Sequence, residues 1–536
     1  MSDGESCADP AAVVSDGARL WRTLAAAGRE ATAEALTEED FERLHVAGGI
    51  ERFLVDRVRA GGSVVVTGNA GDGKTHLLRC VKRDLESAGA VVVEDATAEM
   101  VGDDPRPVLD KWRKAVEAGQ PFCLAANEYP LYQLRMSDKS APHLAEVGQQ
   151  CRHRLAYGDG ERSGCAGEVV VIDLSLRNPL SAEFFETMLD RLLADDGLKA
   201  ALARPEESAA RRNVEFLSHS RVRTRLRALA DRLVAFGHRA TVRELWILFA
   251  RMVFGRGEHG EYQRADWYSE ALFAQDDRFE LTEVLQAVDP ANCSHPIWDA
   301  ALDARAPAVR EGWALRAPVP APHPTLEWKD FAALKRRFYF EHEKGEEAFE
   351  LADTDTGEFE RLLDGNGGSG RTLVASLVEA INAAYCPVRF ESRDQHLYLW
   401  NGHRFHEQPS RSFVAAERVA TEQFVTEVPR LPKRLEACFE YRPDHIALTA
   451  HGRPGTPRLR IDFPLWRTLC RLGRGLPRKL IPERDIHRLD AFLQELGAGP
   501  IGARDSIWSV HLENLELIQV NLSADRRRFE RVRRYG

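Results

Sequence analysis

The chain has 536 residues, 44% of them hydrophobic and 29% charged, with a formal net charge of −10; this is the balance of a soluble globular protein with too many residues for one core, so two or three domains are expected. No apolar run is long enough to span a bilayer and the opening Met1-Ser2-Asp3-Gly4-Glu5-Ser6 is acidic and polar, which excludes a membrane partner and a secretory signal from the reading and favours a cytoplasmic address. The negative balance argues against a global pull toward nucleic acid, and 9 cysteines, an odd number scattered along the chain, argue against a disulfide framework.

The first fifteen or so residues are small and polar and read as disordered. Helical periodicity then appears in Ala18 to Ala27 and again from Phe41 to Val58. The next run, Ser63-Val64-Val65-Val66-Thr67, has the composition of a buried strand, and the residues after it are G-N-A-G-D-G-K-T from Gly68 to Thr75. A triphosphate must be wrapped by backbone amides, and glycines at 68, 71 and 73 give the chain the positive φ this needs. The segment Gly68, Asn69, Ala70, Gly71, Asp72, Gly73, Lys74, Thr75 and His76 is therefore expected to bind ATP. Lys74 would reach the β- and γ-phosphates, Thr75 would hold Mg²⁺ through its hydroxyl, and the helix that starts near Lys74 would face the anion with its N-terminus.

Three further strands are expected at Ala90–Glu94, Pro121–Glu128 and Glu168–Asp173, separated by helical stretches. That alternation predicts a parallel sheet with helices on both faces. A phosphate-loop enzyme also needs an acidic residue at the tip of a neighbouring strand to arrange Mg²⁺ and polarise water. Two strand ends compete for the role, Asn127-Glu128 and Asp173. A Glu128 that only caps the following helix is the bland alternative.

From about Ala182 to Phe254 the pattern is helical throughout, which suggests a lid over the nucleotide core. Pro307, Pro318, Pro320, Pro322 and Pro324 mark a stiff linker. Beyond it the chain begins helical at Phe331 to Phe340 and becomes mixed: His396 to Trp400 followed by Asn401-Gly402 is a hairpin signal, and His445–Leu448 and Arg458–Ile461 read as strands. The expected domains are 1–45 (tail and helix), 46–205 (nucleotide core), 206–305 (lid), 306–327 (linker) and 328–536 (a docking domain). Cys151, His153 and Cys165, and the pair Cys293 and His295, lack clean CxxC spacing and read as thiols before zinc, though zinc at Cys151 and Cys165 stays open. Arginines at Arg221 to Arg227 and Arg526 to Arg534 are solvated helix ends or patches for DNA or an acidic partner.

The phosphate loop with its expected strands resembles the AAA+ ATPases, which implies an α/β P-loop NTPase fold, an AAA+-like parallel sheet, joined to a helical lid and a mixed α+β C-terminal domain. The resemblance implies roles: Asn127 where an aspartate is usual, Glu128 as the water-activating base and Asp173 as a polar sensor of the γ-phosphate, with the exchanged assignment (Asp173 on Mg²⁺, Glu128 accessory) still open. A neutral Asn127 is a weaker partner for Mg²⁺ than a carboxylate, so slow turnover is expected. Gly237 to Leu245 looks like the segment that carries a second sensor arginine, here Arg243. Arg177 is one to test as an arginine supplied in trans.

The segments G-N-A-G-D-G-K-T-H-L-L (Gly68 to Leu78), L-A-A-N-E-Y-P-L (Leu124 to Leu131) and V-V-V-I-D-L-S-L-R-N (Val169 to Asn178) are similar to the ATPase subunits of bacterial phage-defence systems, in particular the DptF-like subunits of DNA phosphorothioation-dependent restriction. Leu334 to Glu341 and Leu459 to Trp466 add to that likeness. It implies an ATPase within a multi-subunit restriction complex, whose partners are the other subunits, DNA met directly or through them, and further copies of the chain. A nucleotide-gated signalling or scaffold protein with weak hydrolysis is the alternative.

Overall fold

The computed structural model describes residues 17–26, 36–137, 169–203, 208–255, 267–274, 280–286, 288–315, 328–349, 354–365, 370–386, 396–400, 412–431, 441–452, 455–497, 506–511, 516–522 and 529–535. The chain forms two units: one holds residues 1–234, 238–351 and 431–442, the other 235–237, 352–430 and 443–536.

The first unit is built on four parallel strands, β1 (Ser63–Thr67), β2 (Val91–Val93), β3 (Phe122–Ala125) and β4 (Val169–Asp173), in the order β2-β3-β1-β4. Val64, Val65 and Val66 of β1 are wholly buried, because a central parallel strand has both faces covered and so reads as an unbroken apolar run. On one face Val64, Val66, Cys123, Ala125, Val170 and Ile172 meet helices α3 (Gly49–Arg59) and α4 (Lys74–Ser87). On the other, Val65, Phe122, Leu124 and Val171 meet α6 (Arg106–Glu117) and α7 (Glu128–Ser137). All four strands end toward the same edge, where open α/β sheets carry their ligands. β2 leads into a short helix, α5 (Ala96–Glu99).

The expected helix over Phe41 to Val58 is two helices, α2 (Glu38–Leu44) and α3, with His45 to Gly48 between them. Gly48 caps α3 in extended conformation and its N–H is held by Glu51 at 2.9 Å. Ahead of them lies α1 (Arg19–Ala26). The expected helical stretch is present as α8 (Ala182–Ala194), α9 (Asp196–Leu202), α10 (Ser208–Ser218), α11 (Ser220–Ala235) and α12 (Val242–Phe254). A capping box opens α12, with the Glu244 amide donating to Thr241 Oγ1 and the Thr241 amide to Glu244 Oε2. Its apolar residues from Leu245 to Val253 are buried, and Trp246 packs on Trp21 of α1 at 5.5 Å. The N-terminal helix thus packs on α12.

Helix α13 (Trp328–Glu341), expected to open the C-terminal domain, lies in the first unit. Its Phe338 and Phe340 are wholly buried, and Arg336 pairs with Asp289 at 2.6 Å and Glu270 at 2.8 Å. Most of the proline-rich segment, including Pro318 to Pro324, lies outside the described residues. Leu431 also joins the first unit, among the residues on the α3 and α4 face.

The second unit is antiparallel. One sheet has the order β12-β11-β10-β6-β5 and another β7-β8-β9, formed by β5 (His396–Trp400), β6 (Ser412–Ala420), β7 (Phe424–Glu427), β8 (His445–Ala450), β9 (Arg458–Asp462), β10 (Ser506–His511), β11 (Glu516–Leu522) and β12 (Phe529–Tyr535). They share a core with α14 (Thr354–Leu363), α15 (Gly370–Tyr385), α16 (Phe463–Gly473) and α17 (Glu483–Gly497). β5 and β6 pair antiparallel as a hairpin signal requires. The connection runs through residues 401–411 and is therefore longer than the two-residue turn that Asn401-Gly402 suggested.

Candidate functional site

The loop between β1 and α4 has the conformation its glycines allow. Gly68, Gly71 and Gly73 have φ of 141°, 93° and 90°, and Gly73 is the left-handed cap from which α4 starts at Lys74. A Cβ at Gly68 would stand 2.8 Å from Asp72 Oδ2 and 3.1 Å from the Ser175 amide nitrogen, so only glycine fits there. Lys74 is nearly buried and donates from Nζ to the carbonyls of Gly68 (3.0 Å) and Asn69 (2.6 Å). Burial lowers its pKa, while the charges of Asp72, Asp95 and Asp173 act the other way.

Asp72 braces the loop from inside. Its Oδ2 accepts from the Asn69 amide at 2.7 Å and its Oδ1 accepts from Arg239 at 2.6 Å. Burial raises the pKa of Asp72, and Arg239 opposes that rise. Arg239 also donates to the carbonyls of Arg177 and Leu174, so the segment ahead of α12 is clamped to the loop. The Arg243 amide donates to the Gly71 carbonyl at 3.2 Å. Arg243 itself lines the cavity described next, where burial lowers its pKa.

A cavity of about 570 Å³ opens over the loop, within the size range of small-molecule sites. Ala70 to His76 form its floor, Leu24, Leu36, Phe41, Leu44, Val46 and Trp246 supply an apolar wall, and Arg177 and Arg243 supply positive charge. Arg177 is buried beneath its own chain, with its guanidinium 3.8 Å from the Phe184 ring centroid. In that position it lines this chain's own cavity.

The strand tips separate the acidic candidates. Asn127 lines the cavity and its buried Oδ1 has no hydrogen-bond partner among the described residues. Glu128 is exposed and is not among the lining residues. Asp173 pairs in register with Thr67 and caps the turn Leu174–Leu176 by accepting from the Ser175 amide at 2.7 Å; it does not line the cavity either.

Besides Asp72 in the floor, the carboxylates that do line it are Glu51, Glu94, Asp95 and Glu99. Glu94 and Asp95 stand at the tip of β2, a strand expected from its sequence, and are not among the acids expected at the site. Burial works to raise the pKa of Glu94, but hydrogen bonds from Lys82 (2.8 Å) and Arg79 (3.0 Å) hold it below the usual carboxylate range. Asp95 accepts from the Thr97 amide and caps α5. An acidic pair closing an all-valine strand was the signal available.

Beside the loop, His76 turns its imidazole to His45, with Nε2 of His76 3.3 Å from Nδ1 of His45. Burial, with His45, Arg79 and Arg177 nearby, lowers its pKa to about 4, so the ring is neutral at pH 7. Of the basic stretch at Arg221 to Arg227, Arg221 donates to the carbonyls of Gly312 and Glu341, buried Arg225 to that of Tyr339, and Arg223 pairs with Asp190. Those arginines are engaged within the unit. The tail forms β12, with Arg533 and Arg534 exposed. Cys151, His153 and Cys165 lie outside the described residues. Comparison of the chain with protein-family models, curated proteins and solved structures finds no match.

Proposed function

We propose that the chain binds ATP with Mg²⁺ at Gly68–Thr75 and hydrolyses it as the AAA+-type subunit of a multi-subunit DNA restriction complex of bacterial phage defence. The nucleotide part is carried by one observation: a loop of positive-φ glycines between a buried parallel strand and a helix N-terminus, with a nearly buried lysine, at the floor of a cavity of about 570 Å³. The loop amides and the helix N-terminus suit an anion. Lys74, which donates to two loop carbonyls, can exchange them for phosphate oxygens of higher charge. The apolar wall suits a base. Arg243 supplies charge where it builds up on the phosphates. The restriction-complex part rests on the segment resemblances, and DNA and the other subunits are its implied partners.

The donors present fit a magnesium ion. Thr75 and Asp95 would hold it, and it would supply neutralisation of the phosphate charge. Asn127, with an unengaged Oδ1 in the cavity, would orient the attacking water or the γ-phosphate. The second reading, a nucleotide-gated scaffold with weak hydrolysis, is favoured by the engagement of Glu94 with Lys82 and Arg79 and by the exposure of Glu128 outside the cavity.

Phosphate release by the full chain, with and without DNA, tests the assignment. Asp95→Asn should raise the Mg²⁺ requirement by at least about tenfold, while Glu128→Gln should fall far short of the roughly hundredfold loss expected of a positioned base. A hundredfold loss in Glu128→Gln with an unaltered Asp95→Asn would reverse the roles. No release under any condition would leave the scaffold reading.

A further inference from the structure

We propose that His45, His76 and Cys80 form a zinc site that ties the α2–α3 connection to the helix following the phosphate loop. One ligand atom from each residue lies within 4.8 Å of the others. His45 Nδ1 and His76 Nε2 are 3.3 Å apart; two nitrogens bonded to zinc at about 2.0–2.1 Å and a tetrahedral angle stand about 3.4 Å apart.

The placement follows from the sequence. His76 and Cys80 are four residues apart on α4 and so share one face of it. His45 is delivered by the break that Gly48 and Gly49 introduce between α2 and α3. Imidazole and thiolate are ligands that zinc prefers, and two histidines with one cysteine fill three of four positions. Cys80 is exposed, so the fourth can go to water.

The surroundings extend the match. The other ring nitrogen of His45, Nε2, lies 3.8 Å from Glu51 Oε1, so a small movement would bring the carboxylate into the hydrogen bond that orients a metal-bound imidazole. Glu51 is itself held by the Gly48 amide. Phe41 packs on His76 with ring centroids 5.3 Å apart, giving the site an apolar side. The nearby cations Arg79 and Arg177 oppose a dication; Glu51 and the thiolate of Cys80 offset them. On binding, the Cys80 proton leaves to solvent and sulfur takes the metal in its place. Since His76 directly follows Thr75, the ion would fix the wall of the cavity to its floor.

The test uses the full chain, made without an affinity tag in zinc-supplemented medium, with metal measured by mass spectrometry. About one zinc per chain is expected, lost in Cys80→Ser and in His76→Gln, and kept in the double variant Cys151→Ser, Cys165→Ser. Cobalt added to the metal-free full chain should give a thiolate-to-metal absorption band that Cys80→Ser lacks, and zinc should raise the melting temperature of the parent chain but not of that variant. Two results overturn the proposal: a parent chain that takes up neither zinc nor cobalt, which leaves an ordinary hydrogen-bonded histidine pair, or a metal that survives Cys80→Ser and departs with Cys151 and Cys165.

Discussion

Asp72 holds the loop's shape from inside. Its side chain is 1% exposed and Arg239 is its charged partner at 2.6 Å. Arg239→Ala would leave that carboxylate buried with only the Asn69 amide donating to it, at a cost of about 1–3 kcal/mol. A lower melting temperature is expected, and Asp72→Asn in the same chain should recover part of the loss, as a double-mutant cycle on the melts will show. Two independent, additive losses would mean the pair does not couple. At Gly68 the obstacle is steric: alanine there must take a φ of 141° and press on Asp72 Oδ2. Gly68→Ala should therefore abolish ATP binding in a calorimetric titration while the rest of the fold still melts cooperatively. Retained affinity would show that the loop can relax around a methyl group.

Among the elements, helix α12 is set onto the loop by its cap. Thr241→Ala removes the acceptor of the Glu244 amide and should cost about 1 kcal/mol, read as a lower melting temperature and a weaker ATP affinity together, because Thr241 and Arg243 both stand against Gly71. A stability loss with unchanged affinity would detach α12 from the site. The strand-loop-helix unit from Ser63 to Ser87 was legible because every signal in it is local: an apolar run, three glycines, then a helical face. Gly48-Gly49 likewise marks the break in the helix expected over Phe41 to Val58, yet periodicity on both sides masked it. Arg239 and Arg243 flank one cap, and sequence spacing alone could not say that the first reaches Asp72 while the second lines the cavity. Glu94 and Asp95 gained their place from sheet order, which no local pattern states.

For the whole molecule, the division into units departs from chain order. Leu431, 6% exposed, packs on the α3 and α4 face, far in sequence from the strands it covers, and α13 contributes its own buried arginine pairs to the same unit. Such long-range closure leaves no trace in local composition, which is why the proline-rich segment seemed the natural boundary. Two consequences follow. Residues 46–305 expressed alone should show no cooperative melt, lacking α1, α13 and Leu431, and Leu431→Ala in the full chain should cost roughly 2–5 kcal/mol. A fragment 46–305 that melts cooperatively and binds ATP would show that the core closes without those segments.

The central claim is that Lys74 and its loop hold a triphosphate, and calorimetric titration of ATP with Mg²⁺ into the full chain and into Lys74→Ala, beside thermal melts of both, tests it most directly. Lys74 makes two hydrogen bonds to loop carbonyls and is not part of the apolar clusters on either face of the sheet, so the account predicts measurable binding in the parent chain, none in the variant, and melts that differ by no more than the loss of about 1 kcal/mol per bond allows. An Lys74→Ala chain that binds ATP as tightly as the parent would contradict it.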